Sequence, residues 1–269
     1  MSNLVLSSLM RSAIKKSAAA AGLEIHKKKA SGATFPLIEK FEAFGVGFQY
    51  WVADETGQRW YLPKNLGGSA ELRETKRLIR PGDRVLEIGS HHGVYMLFVS
   101  KLAGSEGRVI SVEAHPFNAM VAGAQIALNQ VENCRLIHAA ASDRSGSVEV
   151  SDDSNASVVE SQGIRVPAIT GDELDAQFGP FTVLKVDVEG YEGVVLDGCR
   201  NILSRNPRVS LEVHCPSLAS FGTTVNQVLD RIPARYGGTM MFRSDWQLRP
   251  FSREAVPADD IVNLFLGPA

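Results

Sequence analysis

Residues 184–193 read LKVDVEGYEG, an apolar strand that runs into three carboxylates, Asp187, Glu189 and Glu192. Acids crowded at a strand end lose hydration and raise one another's pKa, so they need a cation, hydrogen-bond donors, water or a reaction to serve. The chemistry open to them is proton abstraction, contact with a positively charged ligand, or chelation of a hard divalent cation. Lys185 shares a strand face with Asp187 and can offset part of the charge. In RVSLEVH (208–214), His214 ends another apolar strand and is a rival base, because imidazole titrates near neutrality; Glu212 is its candidate partner or a substrate contact.

A second group surrounds VLEIGSHHG (85–93), a strand followed by Gly89 and by Gly93 at a helix start. Glycines at the carboxyl end of a strand in a doubly wound sheet allow close backbone approach to a ligand. VISVEAHP (109–116) ends its strand in Glu113, 24 residues after Gly89, where an acid can accept hydrogen bonds from both ribose hydroxyls of a nucleotide-type cofactor. A dinucleotide needs G-x-G-x-x-G for its pyrophosphate, whereas residues 89–94 are Gly-Ser-His-His-Gly-Val. The acid Glu87 just before the loop suits a sulfonium or amino group better than a pyrophosphate, so charge favours S-adenosylmethionine over a nicotinamide cofactor.

These residues need a scaffold of alternating strands and helices. From Arg84 onward, RVLEIG, RVISVEA, CRLIHAA, FTVLKVDV and RVSLEVH alternate with helical stretches, which predicts βαβ units and a parallel sheet; GTMMFRS (238–244) and DIVNLFL (260–266) pair antiparallel at its end. Ser69 caps a predicted helix that stops at Pro81-Gly82. GVGFQYWVADETGQRWYLP (45–63) reads as a hairpin turning at Asp54–Gly57. Leu4, Val5, Leu6, Leu9, Met10 and Ile14 are spaced as one face of an amphipathic helix, and residues 1–29 hold six positive side chains against Glu24 alone, so peripheral membrane contact through this arm is an expectation.

The chain has 269 residues, 44% hydrophobic and 22% charged, with a net charge of −2, ordinary globular values that give no reason to expect nucleic-acid binding. Cys134, Cys199 and Cys215 are odd in number and lack CxxC spacing, against a disulfide framework or a zinc site and in keeping with a cytoplasmic location. No apolar run approaches the roughly 18 residues of a membrane span.

VLEIGSHHGVY, VEAHPFNA, ALNQVEN, AAASDRSGSVEV and LKVDVEGYEGVVLDGC resemble, in order and spacing, the FkbM family of S-adenosylmethionine-dependent methyltransferases, over about residues 69–215. Lys185 to Glu192 is similar to the family's K-I-D-x-E-G-x-E signature; Glu87, Ser90 and His91 depart from its D-x-G-A-N-x-G loop. The resemblance implies a class I methyltransferase, Rossmann-like α/β fold, a seven-stranded, mostly parallel sheet with an antiparallel last strand, for a domain at 69–269; the helix and β-hairpin read from the residue pattern form an arm and cap at 1–68. It implies transfer to a hydroxyl of a sugar, glycan or secondary metabolite, with a saccharide or small-molecule acceptor. On matching positions, Glu87, Gly89, Ser90, His91 and Gly93 fall at the cofactor's methionine end, Glu113 at the ribose, Ser142 and Asp143 at the adenine, and Asp187 beside the transferable methyl. Asp187, Glu189 or His214 would act on the acceptor proton, and Lys185, Glu192 and Glu212 would contact substrate. A divalent metal is the less favoured account of the acids, and an NAD-dependent oxidoreductase or a non-catalytic binding module are the alternative functions.

Overall fold

Apolar and polar residues alternate in LIEKFEA and VGFQYWV, so Leu37–Ala43 (β1) and Val46–Val52 (β2) pair as an antiparallel hairpin that buries Phe41, Phe48, Tyr50 and Val52. The structure is a computed structural model, and it describes residues 36–62 and 69–268. It corrects the predicted turn. The reversal falls at Phe44 and Gly45, with φ 53° and 80°, because two successive left-handed residues give a tight turn the twist that a hairpin needs. Asp54 instead caps a helix, Glu55–Tyr61 (α1), by accepting from the Gly57 N–H at 2.8 Å. An Asp two or three residues before a Gly makes the same side-chain-to-backbone bond in a turn and at a helix start, so sequence alone does not separate them.

The Ser69 cap is as expected: its hydroxyl accepts from the Leu72 N–H and opens Ala70–Leu78 (α2). The alternating pattern then gives Arg84–Ile88 (β3), Val94–Ala103 (α3), Arg108–Glu113 (β4), Pro116–Leu128 (α4) and Cys134–His138 (β5). Ala140–Ala141 (β6), Gly146–Val150 (β7), Val158–Val159 (β8) and Ile164–Ile169 (β9) form a separate four-stranded sheet that the pattern did not reveal. Gly171–Phe178 (α5), Val183–Val186 (β10), Glu192–Asp197 (α6), Arg200–Ser204 (α7), Arg208–His214 (β11), Val225–Asp230 (α8), Tyr236–Phe242 (β12), Leu248–Pro250 (β13) and Ile261–Pro268 (β14) complete the chain.

The main sheet has eight strands in the order β13-β12-β14-β11-β10-β3-β4-β5. The five consecutive strands from β11 to the edge strand β5 are parallel, and β14 runs antiparallel between β11 and β12, as the pairing of 238–244 with 260–266 predicted. The short β13 is the addition to the seven strands expected. Strand order reverses between β3 and β10, the switch point at which doubly wound sheets hold ligands.

The hairpin belongs to the packing of this sheet's helices. Phe41, Phe48 and Tyr50 share a buried cluster with Val94, Leu97 and Phe98 of α3 and Ala122 of α4, and Gln125 on α4 bonds the Trp51 backbone at both N–H and C=O. The amphipathic arm at 4–29, with its membrane contact, lies outside the described residues. Among the described residues no helix is long and apolar enough to cross a membrane. Phe41 stacks on its register partner Phe48 at 4.5 Å between ring centroids. Phe41→Ala should therefore lower stability by about 3–5 kcal/mol within a single urea transition. Two transitions, with the second at the wild-type midpoint, would make the hairpin a separate unit.

Candidate functional site

At the switch point the carboxyl ends of the central strands surround a cavity of about 720 Å³, inside the range for a small-molecule site. Gly89, with φ 86°, is on its wall, and a Cβ there would lie 1.8 Å from the Asp187 carbonyl oxygen. Only glycine lets the loops after β3 and β10 touch in this way. Gly93, expected at the cofactor, lies off the wall; a Cβ there would meet Met96 and Ala122, so it serves the packing of α3 on α4.

Glu113 ends β4 on the cavity wall and accepts from the His91 N–H at 2.7 Å and the His115 N–H at 2.9 Å. Burial pushes its carboxyl up to about 7, although the two N–H donors and Asn118 favour the ionised form. His91 lines the cavity with a left-handed backbone, φ 50°, and stacks on His92 at 4.2 Å. Burial, and then the neighbouring His92, push His91 down to about 3, so it is a neutral ring.

Beneath the floor, one or two residues short of the strand ends, a polar row crosses the sheet. Lys185 on β10 is the register partner of Glu87 on β3, and Glu87 of Ser111 on β4. The Ser111 hydroxyl donates to Glu87 at 2.8 Å, and the Lys185 ammonium is 3.9 Å from Glu87 and 3.6 Å from Asp187. Burial acts to lower the Lys185 pKa, but Asp187, Glu87, Glu71 and Glu212 outweigh it and leave it raised. Glu87 is raised by burial, with Lys185 and Ser111 opposing. Glu87 and Lys185 lie under the cavity rather than on its wall, because each spends its charge on the other; Ser90 is likewise buried off the wall.

The three acids separate. Asp187 and Glu189 line the cavity with Glu212 and His214, and Glu192 does not. The sequence reading placed Glu189 and Glu192 on one helical face, but φ is 51° at Glu189 and 102° at Gly190, and two left-handed residues break that periodicity. Glu192, fully buried, turns inward and takes the Gly190 N–H at 3.1 Å and the His214 Nδ1 at 2.7 Å. The other His214 nitrogen, Nε2, is 3.4 Å from Glu189. Burial opposes charge on His214, but Glu192, Asp187, Glu212 and Glu189 outweigh it and raise the imidazole to about 9. Burial, and then Asp187 and Glu71, push Glu212 up to about 8; Arg243 donates to it at 3.2 Å.

The opposite end of the cavity is a wall of small residues, Ala139, Ala140 and Ala141 with Ile88 and Val112. Ser142 and Asp143, expected there, stand off it: the buried Ser142 hydroxyl meets Asp143 and the Tyr191 hydroxyl, and Asp143 is exposed. Sequence reasoning missed Trp60 and Tyr61 of α1, Glu71 of α2, and Arg243 and Trp246, all of which line the cavity. The alanine run after β5 was a signal for a close flat wall; nothing in the spacing tied residues 60, 71, 243 and 246 to one another.

A sheet that reverses order between β3 and β10, ends in antiparallel β14 and holds a cavity with an acid at the tip of β4 is the class I methyltransferase architecture. The chain belongs to the FkbM methyltransferase family: the profile of the Methyltransferase FkbM domain matches residues 87–237, more than half its length. Among solved structures it is similar to the methyltransferase FkbM from Methylobacillus flagellatus KT, at 14% identity over 79% of this chain and 55% of that one, TM-score 0.45. It is also similar to a SAM-dependent methyltransferase from Aquifex aeolicus, at 10% identity over 80% of this chain and 97% of that one, TM-score 0.46. At these values the likeness carries no argument about chemistry. No curated relative matches by sequence.

S-adenosylmethionine is the cofactor of this class, and the cavity's residues fit it. The alanines give an apolar wall of small side chains of the kind a purine can lie against, the Glu113 carboxylate keeps lone pairs beyond its two backbone bonds, and Asp187 and Glu189 line the cavity with charge that a sulfonium would gain from. Among the described residues, Nδ1 of the wall residue His91 has no hydrogen-bond partner.

Glu113 has a folded-state pKa above its unfolded value, so its contribution to stability is fully present below about pH 4.5 and is lost as pH rises through 7. The stability difference between wild type and Glu113→Gln, read from urea midpoints, should fall by about 1.4 kcal/mol per pH unit between pH 4.5 and 7 and be flat above. A difference that is flat throughout would refute the burial effect.

Proposed function

We propose that the chain transfers a methyl group from S-adenosylmethionine to a hydroxyl of a saccharide or secondary metabolite. The observation that carries this reading is the meeting of Asp187, Glu189 and His214 on one wall of the cavity, at the carboxyl ends of β10 and β11. When bound, the cofactor would supply an electrophilic methyl carbon on a cationic sulfur for the acceptor oxygen, with S-adenosylhomocysteine as the leaving product.

The chain's own residues then have separable roles. Glu113 accepts from the ribose, and Ala139–Ala141 with Val112 and Ile88 face the adenine. Asp187, tethered through Lys185, holds negative charge beside the sulfonium. Glu189 takes the hydroxyl proton: burial, with Asp187 and Glu192, raises its pKa, which suits a base for a weakly acidic alcohol. His214, itself steadied by Glu192, positions the Glu189 carboxylate. The alcohol as acceptor is supported by this pair of acids and by the polar substrate end, where Glu212, Glu71, Arg243 and Trp246 offer donors, acceptors and an aromatic face.

The test is calorimetry with S-adenosylhomocysteine followed by transfer of labelled methyl to a panel of saccharides. Glu189→Gln should leave S-adenosylhomocysteine affinity within about threefold and lower transfer by about 10²–10⁴. Binding without transfer to any hydroxyl, alongside transfer to an amine or carbon acceptor, would reject the oxygen-directed reading.

A further inference from the structure

The geometry points to a divalent-cation site formed by Asp187, Glu189 and His214, with Mn²⁺ as the fitting ion. It deepens the proposed methyl transfer and rests on that reading for its chemistry, though not for the binding itself. One ligand atom from each residue lies within 4.8 Å of the other two. Two carboxylate oxygens with one imidazole nitrogen are a mixed hard and intermediate set, suited to Mn²⁺, and three protein ligands leave room for water and one substrate oxygen.

Acids gathered at a strand end would not by themselves define a site; the second observation is the orientation of His214. Its Nδ1 is tied at 2.7 Å to Glu192, which is fully buried, so that Nε2 faces Glu189 and the cavity. A carboxylate behind a histidine is the arrangement that fixes the ring and its tautomer in metal sites. Glu192 is occupied in this orientation: the same oxygen also accepts from the Gly190 and His214 backbone N–H groups. The sequence pattern counted Glu192 among the acids facing the ligand and so had Lys185 as their counter-charge. In the fold Lys185 stands between Asp187 and Glu87, Arg243 bonds Glu212 and acts more weakly on Glu189, and among the described residues His214 is the cation that pairs directly with both Glu189 and Glu192. A cation here relieves that imbalance; without one, a proton on His214 bridges the same carboxylates.

The ion would hold the acceptor alcohol oxygen and lower its pKa. The alcohol proton passes to the oxygen of Glu189 that is not a ligand, the oxygen forms its bond to the methyl carbon, and the C–S bond breaks with its electron pair on sulfur. No oxidation or reduction is involved.

The experiment uses the full chain and MnCl₂, following loss of the free-ion electron paramagnetic resonance signal, with S-adenosylhomocysteine calorimetry on the same samples. One Mn²⁺ per chain is expected. Glu189→Gln, an isosteric change at a half-buried side chain, should weaken uptake at least tenfold. Glu192→Gln, which removes no ligand, should weaken it by about 10- to 100-fold. Should Glu192→Gln fail to fold, Glu189→Gln decides alone. Uptake of Mn²⁺ without S-adenosylhomocysteine binding would keep the site and remove the methyl-transfer reading. Binding of S-adenosylhomocysteine without Mn²⁺ uptake, or uptake that Glu189→Gln leaves unchanged, overturns the site.

Discussion

A buried ammonium stays charged only where carboxylates replace the water it has lost, and Lys185, 5% exposed, is the group on which the sheet's polar centre depends. It sits in the middle of a row, Ser111, Glu87, Lys185 and Ser210, whose members are register partners on β4, β3, β10 and β11. Slipping β10 by one residue against β3 would set Leu184 or Val186 beside Glu87 and leave two charges unpaired in the core. The surrounding strands are otherwise continuous apolar runs with little to fix their offset, so the row supplies the register that hydrophobicity does not. That register brings Gly89 and Asp187 to one level. There the Asp187 N–H donates to the Ile88 carbonyl at 3.0 Å and the glycine admits the Asp187 backbone. The cavity floor is a consequence of charge pairing one layer below it.

This layering explains what could be read in advance. Strands at β3, β4, β10 and β11 are short, apolar and punctuated, and the acids and glycines that end them were legible at the positions where the cavity formed. The phenylalanine-glycine turn of the hairpin was not, because Asp54 offered an equally good local bond a few residues later. The side sheet from Ala140 to Ile169 was hidden by its composition: half-exposed serines, glycines and short valine pairs give weak alternation. Glu192 was misdirected for a conformational reason. Helical spacing predicts which side chains share a face only while φ stays negative, and Glu189 and Gly190 leave that region just as the helix begins. Long polar side chains such as Glu87 and Lys185 were legible as to level, but their mutual pairing was not, since sequence gives a residue's level in a sheet but not which charge it meets.

The cavity also divides by origin. Its alanine wall, Gly89, Glu113, Asp187, Glu189 and His214 all lie within residues 87–237, the segment that matches the family profile, whereas Arg59, Trp60, Tyr61, Glu71, Arg243 and Trp246 lie outside it. The two outer segments meet over the cavity. The Arg243 guanidinium is 5.4 Å from the Trp60 ring and 4.9 Å from the Trp246 ring, and its Nη1 is bonded to Glu212 below. Trp246 is half exposed and has φ 57°, a conformation that costs a bulky residue about 1 kcal/mol or more and that burial does not offset here. Trp60 is held by a helix whose own start depends on the Asp54 cap, and Arg243 by the end of β12 beside β14, so the stack joins elements from the two ends of the described chain. A shared core that fixes the strand-end acids and an opening built from segments outside that core are constrained by different physics: register and charge pairing below, cation–π contact and partial exposure above. The two sets touch through the Arg243–Glu212 pair, so a change in the opening reaches the strand-end acids by way of that contact while the register below it is held by Lys185 and Glu87.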